Sequence, residues 1–205
     1  MLLDHYIKKR AKELGLPYME AEPILREAVK LPFIDNTKID FSLFLAGDLR
    51  QLNAISMWRG LILASAEWAA RLVLEPGEEV RNAFIFTMGH EMTHQKKDYF
   101  FLGFPTSDKC FVNWVSEAYA DFGGAMLAFD GKIEPSIFAM EYKRRNAKNN
   151  KDTISHPSWE RRIRLVSSGS FDTELIHLIA SDTGCKNEKL INALCRFYDP
   201  IKLKD

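Results

Sequence analysis

The chain of 205 residues lacks a charge of one sign: 28 basic residues balance 28 acidic ones. No basic excess points to nucleic acid, and no acidic tail is evident. Cysteine is scarce. Cys110, Cys185 and Cys195 are odd in number and widely spaced, with no CxxC pair, which favours free thiols in a reducing compartment over a disulfide framework. Long apolar runs are missing too. The N-terminal "MLLDHYIKKRAKELG" carries charges where a signal peptide needs an apolar stretch. The longest apolar segment, "GLILASAEWAARLVL", is interrupted by Glu67 and Arg71 and is too short to span a bilayer. A soluble, cytoplasmic protein with no membrane span is expected, and nothing in the sequence specifies an oligomeric state.

What is present is ample material for a core, since 46% of the residues are hydrophobic. Residues 4–15 read as a helix ended by Gly15 and Pro17. Pro23 suits the first turn of a second helix, running to about Lys30. "IDFSLFLAG" is either a short strand or the start of another helix. "AISMW" and "GLILAS" are apolar runs of strand length separated by Gly60, and a helix can follow from Ala64. Pro76 and Gly77 then break the chain. Glu78 and Glu79 suit a helix N-terminus by dipole sign, and Val80, Phe84, Met88 and Met92 recur at helical spacing.

"YFFLGFPTSDKC" reads as a loop and "FVNWVSEAYADFGGAMLAFDG" as a second helix ending near Gly131. The aromatic "DYFFLGF" is either core packing or the lining of an apolar specificity pocket. A helical segment then runs into a polar connector rich in Asn and Lys, and Pro157 opens "SWERRIRLVSS". Two closing helices follow, the first capped by Asp172 or Thr173.

The chemistry concentrates in "TMGHEMTHQKKD", residues 87–98. On a helix, His90 and His94 lie on one face and can hold one metal ion from adjacent turns. Glu91 is displaced by about 100° around the axis, so its carboxylate falls beside the metal, where it can take a proton from a zinc-bound water. The plainer reading is two surface histidines on an amphipathic helix. A catalytic zinc site needs a third protein ligand and an open fourth position. "NWVSEAYADFGG" supplies Glu117 as that ligand. Asp121, one turn on, can accept a hydrogen bond from the outer ring nitrogen of His90 or His94. Both acids lie on a helix whose other residues are mostly apolar, which argues against a solvated acidic stripe. The interval between His94 and Glu117 leaves room for an antiparallel return.

HExxH followed by "EAYAD" resembles the gluzincin metallopeptidases, and is especially similar to the family of the HtpX heat-shock protease and the CAAX prenyl protease. "ISHPSWERRIRLV" matches that family's downstream segment through His156, Pro157, Arg162 and Ile163, and "NAISMWRGLILAS" is similar to its strand pair before the metal helix. The resemblance covers about residues 50–168. The chain departs from the family in having no membrane-spanning helix and a shorter interval before the glutamate. The IrrE/ImmA-type peptidases, which act on repressors, are the neighbouring alternative.

The resemblance implies an α+β, mainly helical fold: a zincin-like metallopeptidase core with a small β-sheet and two metal-binding helices over residues 46–168. An N-terminal helical extension (1–45) and C-terminal helices (169–205) flank it in one compact unit. It further implies a zinc-dependent endopeptidase acting on a peptide or protein substrate. One Zn2+ per chain would sit on His90, His94 and Glu117, with Glu91 as general base. His156 is the leading donor to the oxyanion, with Arg162 next, although Arg162 can instead pair with Glu117 or Asp121 and hold them. A strand within 53–66 is expected to offer its edge to an extended peptide. Cys110, placed in the loop between the metal helices, is a candidate inhibitory thiolate. The competing expectations are a binding module that keeps the metal for folding and a zinc hydrolase of non-peptide substrates. Glu91 argues against the first, because a structural site needs no general base.

Overall fold

The computed structural model describes residues 2–17, 20–28, 41–43, 52–57, 61–75, 77–98 and 105–205. Helices dominate it. Helix α1 (Leu2–Leu14) carries Asp4 in its first turn and Lys12 in its last, matching the helix dipole, and ends at Gly15 with φ +67°. Helix α2 (Ala21–Ala28) buries Ala21, Leu25 and Ala28, which share one face. Strands β1 (Phe41–Leu43), β2 (Ala54–Met57) and β3 (Leu61–Ala64) form one sheet in the order β1–β3–β2. β1 runs parallel to β3, and β2 pairs antiparallel with β3 from Ala54 opposite Ala64 to Met57 opposite Leu61. Among the described residues, β2 therefore has one free edge.

Helix α3 (Ala66–Leu74) follows directly and is buried almost throughout. The two charges that interrupt its apolar run have partners. Buried Glu67 accepts from Tyr6 Oη at 2.8 Å and from Arg71 Nε at 3.0 Å, which ties α1 to α3. Burial, reinforced by Glu67, pushes the Tyr6 phenol up to about 12. No helix among the described residues is long and apolar enough to cross a membrane.

Helix α4 (Glu78–Lys96) is the centre of the molecule. Between Ala83 and Thr93 every residue but the half-buried Ile85 is buried, with the helix packing against α5 (Thr106–Phe129), α6 (Ile133–Asn146) and the edge strand β2. The loop expected over 99–110 gives way to helix earlier than the sequence suggested. Thr106–Cys110 already belong to α5, with Pro105 at its N-cap and Asp108 in its first turn, an arrangement that proline geometry and the dipole both favour. Residues 99–104, with most of the aromatic stretch, lie outside the described residues. Cys110 is consequently a helical residue, nearly two turns before Glu117 and away from the cleft lining.

The two central helices run antiparallel and touch through glycine. A Cβ on Gly124 would stand 3.1 Å from the His90 nitrogen and 3.2 Å from the Phe86 carbonyl oxygen. A Cβ on Gly89 would meet the Gly124 oxygen at 3.1 Å. Glu117, Asp121 and Gly124 share one face of α5, so this close approach presses both acids toward α4.

Asp130 and Gly131, both with positive φ, turn the chain into α6. Helix α7 (Trp159–Ser167) begins where the Ser158 hydroxyl accepts from Arg161 N. The C-terminal part contains α8 (Thr173–Thr183), α9 (Glu188–Phe197) and a two-stranded ribbon, β4 (Ser170–Phe171) with β5 (Ile201–Lys202). Asp172 caps α8, as expected, and Phe171 packs edge-on against Tyr119 and Phe122 of α5.

Candidate metal centre

His90 and His94 point from adjacent turns of α4 at the same spot, with their Nε2 atoms 3.1 Å apart. Glu117 enters from α5. Its Oε2 lies 3.6 Å from His90 Nε2, and its Oε1 lies 3.5 Å from His94 Nε2. Zinc–ligand bonds of about 2.0–2.1 Å in tetrahedral array put neighbouring donor atoms about 3.3 Å apart, so this triangle has the dimensions of a zinc site. The group can hold a metal ion.

The outer ring nitrogens explain why these atoms converge. His90 Nδ1 lies 2.9 Å from Asp121 Oδ1, and His94 Nδ1 lies 2.9 Å from Asp98 Oδ1. An ionised carboxylate only accepts, so each imidazole carries its proton on Nδ1 and directs an Nε2 lone pair inward. Two lone pairs and a carboxylate then face one another in a buried place, an arrangement that calls for a cation. Glu117 Oε2 underlines this, because it is buried and no hydrogen bond reaches it. Arg162 Nη1 lies 3.3 Å from it but is not aligned to donate.

Without a metal, a proton serves as that cation. Burial pushes the His94 imidazole down, but bonds to Asp98 and Glu117 outweigh it and raise the ring to about 10. Burial likewise pushes the Glu117 carboxyl up, yet the Arg162 charge and the two histidines hold it well below the ordinary range.

Arg162 reaches in from α7. Its Nε and Nη2 donate to the two Asp121 oxygens at 2.8 and 2.5 Å, a bidentate pair that is almost fully buried. Arg162 is thus hydrogen-bonded to Asp121 and in charge contact with Glu117, the pairing the sequence offered as the alternative to an oxyanion role. His156 differs. Its side chain is 58% exposed, with Nε2 3.5 Å from Glu117 Oε1 and Nδ1 2.8 Å from the Ser155 hydroxyl, and it lines the mouth of the site.

Glu91 lies beside the three ligands, with no hydrogen bond to its carboxylate among the described residues. Burial pushes its carboxyl up, against the opposing pull of His90 and His94. Apart from the fully buried Asp121, these groups open onto one cleft of about 670 Å³, whose walls include β2 at Ala54–Ser56 and the connector before α7.

Two participants escaped the sequence reading. Asp98 lies one turn beyond His94 and also accepts from the Ser116 hydroxyl of α5, just past the end of α4 at Lys96. Lys143 of α6 lines the cleft floor and is 91% buried, being only 9% exposed. Its signal was its place in a stripe, since Ser136, Ala139, Met140 and Lys143 recur on the buried face of α6.

Comparison with protein-family models, curated proteins and solved structures finds no match to this chain.

Proposed function

We propose that this protein is a zinc-dependent peptidase of the gluzincin kind. The observation that carries the reading is the triangle of His90, His94 and Glu117 donor atoms, 3.1 to 3.6 Å apart, opening on a cleft beside an edge strand. A purely structural zinc site is closed by a fourth protein ligand, whereas here the fourth side faces the cleft. Bound there, zinc would supply Lewis acidity, bringing water into a reactive range near neutral pH and polarising a carbonyl.

The remaining chemistry belongs to the chain's own residues. Glu91 accepts the proton of the attacking water and passes it to the departing amine; its unbonded carboxylate and its burial suit a base nearer neutrality. His156, exposed at the mouth of the cleft, donates to the oxyanion that forms at the scissile carbonyl. Asp121 and Asp98 keep the two histidines in the ligating tautomer. The free edge of β2 supports binding of an extended peptide by strand addition, with the exposed Ile55 and Met57 side chains as apolar contacts. The family resemblance of "HEMTH", "EAYAD" and "HPSWERRI" supports the same reading.

Metal content and digestion of a peptide library, measured on the unaltered protein and on Glu91→Gln, test this. The expected result is one zinc per chain in both, with chelator-sensitive cleavage that falls about 10²- to 10⁴-fold in the variant. Protein that binds no zinc would end the reading. Zinc without cleavage of any peptide would turn it into a metal-stabilised binding module.

A further inference from the structure

Lys143 is a buried lysine with no ion pair among the described residues; Glu91, Asp121 and Glu117 act on it only from farther away, and the Arg162 charge opposes them. Its Nζ donates to the Leu52 carbonyl at 2.8 Å and to the Thr87 hydroxyl at 3.3 Å. The Thr87 hydroxyl itself donates to Ala83 O, so it receives from the lysine. An ammonium has three donors, and the third has no acceptor among the described residues. No carboxylate of those residues lies within 4.0 Å. The indole faces of Trp68 and Trp159 lie 5.2 and 5.3 Å from Nζ, which favours a cation there but does not neutralise it. Proteins rarely bury lysine without pairing it.

The cleft around it is unbalanced in the same sense. Lys148 and Lys151 stand exposed on its rim, with no ion pair among the described residues. Of the carboxylates in its walls, Asp98 is occupied by His94 and Ser116, and Glu117 by Arg162 and the two histidines. A bound dication would add to the positive side. The free cations thus outnumber the free anions, and Glu91 is the one unbonded acid among the lining residues.

We infer that Lys143, with Lys148 and Lys151 at the rim, forms an anion subsite that takes a carboxylate of the substrate, either an acidic side chain or the chain's C-terminus. The identity of the ligand as a peptide rests on the proposed peptidase function. Burial pushes the lysine down to about 7, so an arriving carboxylate restores its full charge and gains a charge-assisted hydrogen bond. Position fits as well. Thr87 precedes Glu91 by one turn on the same face of α4, which puts the ammonium one helical turn from the base.

The test uses zinc-loaded, full-length protein carrying Glu91→Gln, so that peptides bind without turnover. Two pairs of labelled peptides are titrated by fluorescence anisotropy: Glu against Gln at one internal position, and free acid against amide at the C-terminus. At least one carboxylate peptide should bind about 10- to 100-fold tighter than its neutral partner, the range of a charge-assisted buried hydrogen bond. The pair that shows the preference identifies the source. Adding Lys143→Met should bring that ratio to within about twofold. Lys148→Gln with Lys151→Gln, both on the surface, should lower it severalfold and weaken its salt dependence, which keeps the test decisive if Lys143→Met does not fold. Equal binding within both pairs overturns the inference. So does a Lys143→Met variant that weakens acidic and neutral peptides alike, because the lysine would then only tie Leu52 to Thr87. A preserved binding preference with no cleavage by the unaltered protein would instead sink the peptidase reading and leave the subsite standing.

Discussion

Arg162 and Asp121 form a bidentate ion pair in the core, with Arg162 Nε and Nη2 donating to the two carboxylate oxygens at 2.8 and 2.5 Å. The same carboxylate receives His90 Nδ1 at 2.9 Å. One acid therefore neutralises a buried guanidinium and orients a metal ligand. Burial alone would push the Asp121 carboxyl up, but Arg162 and His90 outweigh it and hold it below the ordinary range.

Asp121→Asn should consequently damage both stability and metal binding. Removing one member of a buried pair costs about 3–5 kcal/mol. For a chain of this size the midpoint of thermal unfolding should fall by about 10 °C. Zinc affinity should drop about 10- to 100-fold, as for other carboxylates behind a ligating histidine. Calorimetry of the metal-free variant, followed by competition against a chromogenic chelator, separates the two effects. A shift under about 2 °C would show that Glu117 alone satisfies Arg162.

Asp98 offers the contrasting case. It supports His94 as Asp121 supports His90, but from an exposed position just beyond the end of α4. Asp98→Ala should weaken zinc binding about tenfold or more while moving the unfolding midpoint by no more than about 2 °C. The same chelator competition gives the answer, and unchanged affinity would mean that Asp98 does not orient the ring.

These two carboxylates show where the sequence was legible. Asp121 could be found because it sits four residues after Glu117 on a helix of apolar residues, so its burial needed a reason. Asp98 looked like the polar end of a helix. Helical spacing likewise put His90 and His94 on one face, the need for a third ligand pointed to Glu117 on the next helix, and the strand pair at 54–57 and 61–64 followed from two apolar runs with Gly60 between them. The pairing order was not readable, because β1 joins β3 in parallel from a distant part of the chain. Lys143 was missed for a similar reason. A lysine in a helical stripe reads as surface until the fold brings Leu52, Thr87 and two indoles around it.

The glycine contact between α4 and α5 sets how far Glu117 stands from the histidines. Gly124→Ala would put a methyl group 3.1 Å from the His90 nitrogen and 3.2 Å from the Phe86 oxygen, both backbone atoms that cannot rotate away. The helices must part by a few tenths of an ångström, and overpacking of this kind costs about 1–3 kcal/mol. The expected signature is a loss of zinc affinity larger than the modest stability loss suggests, since the displaced element carries a ligand. Gly15→Ala is the control. It also changes a glycine, but at the open end of α1 where no atom lies within 4 Å, so its effect should stay in stability alone. Equal zinc affinity in the two variants would sever the link between helix separation and ligand geometry.

Acidity should act on the same centre through His94. In the metal-free protein its ring is raised to about 10, above the ordinary 6.5, by Asp98 and Glu117 against the downward pull of burial. A raised pKa means that the folded chain holds a proton which the unfolded chain releases, so this contribution to stability is complete below pH 6.5 and disappears as pH climbs toward 10. Zinc must displace that proton, because only the free Nε2 lone pair can ligate. Apparent zinc affinity should therefore rise with pH across this window, by up to about tenfold per unit for one proton released. Isothermal titration at several pH values, in buffers of different ionisation enthalpy, counts the protons. A release near one at pH 7.5 is expected. In Asp98→Ala the proton is held less tightly, so the release at that pH should fall, and an unchanged release would show that Asp98 does not contribute to the charge on His94.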